Sequence, residues 1–352
     1  MPEIFGETME RVRERTGLLA QAARIDSFIE ADGVAHGTRR LRLVNGGGLE
    51  LELHPDRALD IGHATVDGWP VAWASPTGMT GPDAFEPEGS GWLRTFGGGL
   101  LATCGLDTFG VPAEDAGERL GQHGRIGAQR AQITRTEVTD DELIVEGVVR
   151  QTRVFGEHLV LRRRITSRIG SDGFRIEDTV TNESYRDQPH MILYHMNLGW
   201  PLLGERTRIE IPATRVVPRD PDAEAGFEDR EVFGPPTPGF AEQVFTHALP
   251  ERESRIAVTN PDNGLSFELT IDADQLPWVF QWKMAGQSHY ALGIEPANTP
   301  NLFGRAAARA AGELPILRPG ERTAYALEVR LRRDAVGTDG SASIGVRSKE
   351  AS

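Results

Sequence analysis

One cysteine, Cys104, stands among 352 residues. No intrachain disulfide can form, which fits a reducing compartment. Its neighbours Ala102, Thr103 and Gly105 offer no cation or imidazole to favour a thiolate, so it reads as a small packing residue. Positive charge is short as well: 38 Lys plus Arg against 52 Asp plus Glu leave a formal balance of −14. Nucleic acid and anionic membranes select basic faces, so neither is expected as a partner. Apolar runs of membrane-spanning length are missing, and the opening stretch MPEIFGETMERVRERTGLLAQ has no apolar signal core. The expectation is a soluble, cytoplasmic protein. Phosphate-loop and G-x-S-x-G patterns are missing too, and Gly121, Gly124 and Gly127 are spaced wrongly for a dinucleotide fingerprint. Hydride and phosphoryl transfer are therefore disfavoured, and no cofactor is expected.

What the chain has in quantity is turn chemistry, 40 Gly and 22 Pro beside 14 Phe and 6 Trp, which disfavours a helical bundle. Helix formers with apolar positions at Met9, Val12, Leu18, Leu19 and Ala22 predict one helix over Glu7–Arg24. From Arg39 the period becomes two. Leu41 and Leu43 alternate with Arg40 and Arg42, Asn45 to Gly48 turn the chain, and Leu49, Leu51 and Leu53 alternate with Glu50, Glu52 and His54. Asp67-Gly68 is a hairpin signal, as is Asn263-Gly264. Later strands read at Met191–Leu198, Arg208–Ile211, Arg255–Thr259, Leu265–Ile271, Trp278–Lys283 and Tyr290–Glu295. The long segments around Leu159–Ile169, Phe174–Val180 and Tyr325–Leu331 alternate apolar with charged residues, as strands with one wet face do. More than a dozen strands without strand-helix alternation predict an all-β fold of stacked antiparallel sheets. The expected organisation is a helical arm over 1–38, a single β domain over 39–334 and a flexible tail over 335–352. Residues 75–130, rich in Gly, Pro and Asp but anchored by Trp92, Phe96, Leu100 and Leu101, read as ordered loops around a site. Val217–Gly239, rich in Pro, reads as a surface insertion.

Metal-ligand spacing is not found among the nine histidines. His190 and His195 are five apart on one predicted strand and point to opposite faces, and His289 and Glu295 lie roughly 20 Å apart along another. No metal is expected. Other polar residues sit where core or plain solvent would be ordinary. In Tyr194-His195-Met196-Asn197-Leu198-Gly199-Trp200, His195 and Asn197 share a face. In Gly293-Ile294-Glu295-Pro296, a carboxylate sits among apolar neighbours, a setting that raises a carboxyl pKa toward general-base use. Gln122-His123-Gly124-Arg125 and Asp56-Arg57 place donors in turns.

These segments, with HPDRALDI (54–61), WLRTFGGGLLATCGL (92–106), GQHGRI (121–126), LYHMNLGWPLL (193–203) and ALGIEPAN (291–298), resemble the aldose 1-epimerase, or galactose mutarotase-like, superfamily. Within it they resemble the branch called DUF4432, from about Gly33 to Arg333. The resemblance implies a β-supersandwich and cofactor-free opening of a pyranose ring. It matches Glu295 to the general base at the anomeric hydroxyl, His195 to the general acid at the ring oxygen and His123 to a second, sugar-binding histidine. Arg57 is its counterpart of a substrate-binding arginine. Arg125, Asn197, Trp282 and Lys283 complete the expected substrate-binding set, Trp282 by stacking and Lys283 by holding a hydroxyl or anionic group. The acid segment departs from the usual pattern, with Tyr194 before the histidine and Met196 after it. The expected function is interconversion of the anomers of an aldose. Arg57, Arg125 and Lys283 raise an anionic sugar as the substrate, and a homodimer is allowed. A carbohydrate-binding protein without turnover and an acid-base lyase or hydrolase on a sugar derivative stand as alternatives.

Overall fold

The structure is a computed structural model that describes residues 3–250 and 252–335. Three antiparallel sheets dominate it. An eight-stranded sheet runs in the order Gln132–Val138, Glu142–Thr152, His158–Arg168, Gly173–Asn182, Arg322–Arg333, Leu265–Asp272, Glu253–Thr259 and Arg208–Glu210. A six-stranded sheet runs Arg215–Pro218, Gln243–Ala248, Trp278–Gly286, His289–Ala297, Leu193–Gly199 and Ala102–Cys104. A five-stranded sheet holds Arg24–Ile29, Arg39–Val44, Leu49–His54, Asp60–Val66 and Trp69–Pro70. These are the stacked antiparallel sheets that the alternating sequence predicts, in the all-β supersandwich that the resemblance implies. The Asp67-Gly68 turn forms as expected, with φ of 51° and 77° at its two residues, the conformation a tight two-residue hairpin needs.

Apolar residues from all three sheets, among them Leu51, Leu161, Tyr194, Met196, Leu269 and Leu327, merge into one buried core. A second cluster, built around Trp92, Phe96, Cys104, Phe109, Leu193 and Phe280, lies apart from it. Cys104 is fully buried there, and burial pushes its thiol well above the ordinary range. The six-stranded sheet is thus covered on both faces. Every residue of Leu193–Gly199 is buried.

The N-terminal arm departs from the expectation. The helix spans only Met9–Arg15, capped by Thr8. The backbone N–H and the hydroxyl of Thr16 both bond back to Val12 O, at 3.0 Å each, and the chain leaves the helix at Gly17. Leu18, expected on the apolar face, is 75% exposed. Arg24–Ile29 is a strand paired with Arg39–Val44, from Arg24 opposite Val44 to Ile29 opposite Arg39. Tertiary pairing here overrides a continuous helical period, so the first sheet begins inside the segment read as a helical arm. Helices over Pro221–Ala225 and Gly304–Ala311 were not expected, the second being the longer. Gly304–Ala311 is Ala-rich and closed by Gly312 at φ 72°, an ordinary helix terminator. Of the tail expected over 335–352, all but Ala335 lies outside the described residues.

Candidate active site

A cavity of about 770 Å³ opens over the six-stranded sheet, with His195 and Glu295 among its lining residues. They come from neighbouring antiparallel strands. Leu193 pairs with Ala297 and Met196 with Ile294, a register that sets His195 opposite Glu295. His195 Nε2 lies 3.2 Å from Glu295 Oε1, with side chains only 6% and 4% exposed. The carboxyl folds back over Gly293: a Cβ there would stand 2.4 Å from Glu295 Oε1 and 3.0 Å from Trp282 Cβ. Glycine is required at this position by space.

Strand alternation sends Tyr194 the other way. Its hydroxyl donates to Asp178 Oδ2 at 2.9 Å. Arg163, wholly buried, donates to Asp178 through Nε and Nη2 at 2.9 and 2.7 Å, to Asp60 through Nη1 at 2.8 Å and to Thr103 Oγ1 at 2.9 Å. Asp60 belongs to the five-stranded sheet, Arg163 and Asp178 to the eight-stranded one, and Thr103 to the strand beside His195. This network ties all three sheets together behind the strand of His195. Tyr194, a departure from the usual acid segment, is the member of that strand that joins it.

The front of the pair is aromatic. Phe96, Trp282 and Trp92 lie with ring centroids 5.1, 5.6 and 6.1 Å from His195, and Trp73 stands 5.9 Å from Trp282. His123 sits 4.5 Å from Trp92 and 5.8 Å from His195. Its turn is held by backbone bonds from Gln122 N to Gly89 O and from His123 N to Gly110 O, at 2.9 Å each. His123 itself has a left-handed φ of 56°. The Gly110 N–H donates to His123 Nδ1 at 3.5 Å, which leaves the ring proton on Nε2 as a donor.

Burial sets the charge states. Glu295 is pushed well above the ordinary carboxyl range, first by desolvation and then by the negative charge of Glu242, with Arg219 opposing. His195 is held well below its ordinary value by desolvation and by the neighbouring His123, with Asn197 acting the other way. His123 falls to about 4 through burial. Both shifts disfavour the carboxylate and imidazolium forms of the free pair. His195 Nδ1 and Glu295 Oε1 are buried without hydrogen-bond partners. Among the described residues no cluster of three or more His, Cys, Asp or Glu is arranged to hold a metal ion.

Four expected contacts do not reach the cavity. Arg57 is buried, with Nη1 donating to Thr80 O and Oγ1 at 3.3 and 3.1 Å. Arg125 pairs with Glu157. Asn197 shares the face of His195 but lies deeper, its amide donating to Gly99 O and His195 O at 3.0 and 2.9 Å. Lys283 follows Trp282 on one strand, so two-residue periodicity turns it away. Its Nζ donates to Asp229 O at 2.8 Å and lies over the Phe233 ring. Trp282 and His123 do line the cavity, as do many residues of the 75–130 stretch, including Trp73's neighbours Ser75 and Thr77.

Arg219 and Glu242 line it unexpectedly. Arg219 donates to Asp220 Oδ2 at 2.6 Å and Glu242 Oε1 at 3.0 Å, while Trp282 Nε1 donates to Glu242 Oε2 at 2.9 Å. Arg219 lay in the segment read as a surface insertion. Glu242 precedes the strand Gln243–Ala248, which pairing with Trp278–Gly286 sets beside Trp282.

The solved structures most informative for this chain share its fold. A protein of Klebsiella pneumoniae subsp. pneumoniae MGH 78578, provisionally assigned as an aldose 1-epimerase, matches with a TM-score of 0.83 and 25% identity over 87% of this chain and 83% of its own. A galactose mutarotase-like protein from Clostridium acetobutylicum matches with a TM-score of 0.63 and 14% identity, over 89% and 100% of the two chains. Galactose 1-epimerase from Lactobacillus acidophilus NCFM matches with a TM-score of 0.60 and 12% identity, over 89% and 100%. The comparison with curated proteins finds no match. The model of the family described as domain of unknown function DUF4432 matches residues 35–331. The chain belongs to the DUF4432 family, on the galactose mutarotase-like fold.

Proposed function

We propose that the protein is an aldose 1-epimerase, an isomerase that interconverts the anomers of a reducing sugar by proton transfer. The observation that carries this reading is the His195–Glu295 pair, 3.2 Å apart and facing an aromatic-lined cavity with unpartnered polar atoms. Glu295 takes the proton of the anomeric hydroxyl. The freed electron pair forms the C1–O1 double bond, the bond from C1 to the ring oxygen breaks, and His195 delivers a proton to that oxygen. Rotation about the C1–C2 bond exposes the other carbonyl face. The reverse steps then close the ring, His195 recovering its proton and Glu295 returning one to O1.

The chemistry conserves protons, electrons and substrate mass, so it calls for no redox or group-transfer cofactor. Ring opening uses the pair as carboxylate and imidazolium, one proton shared between Glu295 and His195. The same pair in opposite states serves ring closure. His123, neutral with its proton on Nε2, is suited to donate to the ring oxygen or a hydroxyl. Trp282, Trp92 and Phe96 offer apolar faces to the C–H side of a pyranose.

The test is anomer exchange followed by magnetisation-exchange NMR on reducing hexoses and pentoses. Acceleration by the native protein, lost in Glu295→Gln and in His195→Asn, supports the reading. Equal acceleration by the variants removes it.

A further inference from the structure

The cavity has two unlike ends. At the sheet end stand His195, Glu295 and His123. At the mouth stand Leu93, Val111 and Phe303, which are 53%, 45% and 56% exposed. Pro112 and Leu302 line the same rim. None of these five side chains can donate or accept a hydrogen bond. The rim's backbone is also committed, Val111 N donating to Leu302 O at 3.0 Å. On another wall, the hydroxyls of Ser75 and Thr77 are bonded to Phe96 O at 2.5 and 2.9 Å. Exposed large apolar residues gathered at one opening mark a binding surface.

The rim is also firmly built. Phe303 caps the Gly304–Ala311 helix, and its N–H donates to Asn301 Oδ1 at 3.0 Å. Arg305, two residues on, is buried and donates to Asp115 and Asp107 at 2.8 Å each. Gly110, on the facing loop, packs so closely that a Cβ would stand 1.9 Å from Leu302 O.

Charge on the lining points to a neutral ligand. Among the described residues Arg219 is the one Lys or Arg that lines the cavity, and Asp220 and Glu242 already neutralise it. Arg57, Arg125 and Lys283, which suggested an anionic sugar from sequence, are directed elsewhere. An anionic substituent would meet the carboxylate of Glu242 without a free cation to receive it. The volume of about 770 Å³ lies in the upper part of the ~300–1,000 Å³ range of small-molecule sites. A bare pyranose at the sheet end leaves the mouth unfilled.

We infer that the substrate is a neutral aldose bearing an apolar substituent away from its anomeric carbon, an alkyl, acyl or aryl group that the Leu93–Val111–Phe303 rim covers. This rests on the epimerase reading for turnover, but the binding preference stands on the cavity alone.

The test compares D-glucose, D-galactose, their 6-O-benzyl ethers and their uronates, measuring anomer exchange and, in parallel, binding by calorimetry. The ethers are expected to exceed the parent sugars by about tenfold in kcat/KM and in affinity, and the uronates to fall below them. The ether-to-parent ratio should drop toward unity in Phe303→Ser and persist in Phe303→Leu. Equal values for ether and parent, preference for the uronates, or no binding of any ether overturns the inference. So does a Phe303→Ser variant that turns a dimer into a monomer in sedimentation while the ratio holds, because the rim is then a subunit interface. Tight ether binding without faster exchange of any sugar keeps the inference and removes the epimerase reading instead.

Discussion

Trp282 Nε1 donates to Glu242 Oε2 at 2.9 Å, and Arg219 donates to the other oxygen of the same carboxylate at 3.0 Å. One carboxylate therefore fixes the indole beside His195 and sets part of the field on Glu295. The negative charge of Glu242 raises the Glu295 pKa and the positive charge of Arg219 lowers it. Removing either charge should move the alkaline limb of activity, in opposite directions. Glu242→Gln is expected to shift that limb of kcat/KM to lower pH, and Arg219→Gln to higher pH. Shifts of the same sign in both variants would contradict this coupling.

The pH profile of the native protein follows from the same pair. The proposed reaction needs one proton on His195 and Glu295 together. His195 is held low and Glu295 high, so the second proton enters only in acid and the last leaves only in base. A broad plateau across neutral pH is expected, and a narrow bell between the ordinary carboxyl and imidazole values would contradict it.

Gly293 tests the fit of the base. Gly293→Ala places a methyl group where Glu295 Oε1 and Trp282 Cβ now lie, at 2.4 and 3.0 Å. The carboxyl must swing away, and a misplacement of this kind lowers kcat on the order of 100-fold. Circular dichroism should show the fold retained. Unchanged kcat would show that the carboxyl does not work from this position.

The buried network behind the strand is a matter of stability. Arg163→Met leaves Asp60 and Asp178 in the core without their cation, a loss of about 3–5 kcal/mol. Tyr194→Phe removes one bond to Asp178 and should cost about 1–3 kcal/mol. Urea unfolding measures both. A neutral Arg163→Met result would contradict a stabilising role for the buried cation.

Acid should weaken the fold in a defined window. Burial lowers His54, His123, His190 and His247 to about 4 from 6.5. Their folded values lie below the unfolded one, so the stability they contribute is present above pH 6.5 and is lost as the pH falls toward 4. His190 is the clearest case. Its Nδ1–H donates to Leu106 O at 3.0 Å, and its Nε2 accepts from the Tyr325 hydroxyl at 2.8 Å. His190→Asn should flatten the dependence of the urea midpoint on pH between 6.5 and 4, and an unchanged slope would exclude His190 from it.

Sequence legibility followed periodicity. Strands with clean alternation, such as Arg322–Arg333 and His158–Arg168, could be read directly, because the two-residue period is local. His195, Glu295, His123 and Trp282 could be reached through motif resemblance, and the same alternation that turns Trp282 toward the cavity should have turned Lys283 away from it. Arg24–Ile29 was hidden because its partner strand, Arg39–Val44, supplies the reason for its extension. Arg219 and Glu242 were hidden because charged residues in Pro-rich surroundings look like ordinary surface. Only the register of Gln243–Ala248 with Trp278–Gly286, with Val244 opposite Trp282, brings Glu242 to the indole. Arg57 and Arg125 show the converse: a turn motif places the backbone, while the direction of a long side chain depends on partners such as Thr80 and Glu157 that are distant in sequence.

The central claim is proton transfer by the facing pair, and anomer exchange in Glu295→Gln tests it most directly. The native protein is expected to speed exchange of a bound reducing sugar, and the variant, still binding that sugar, to lose at least about 100-fold of the rate. A variant that exchanges anomers as fast as the native protein would contradict the account.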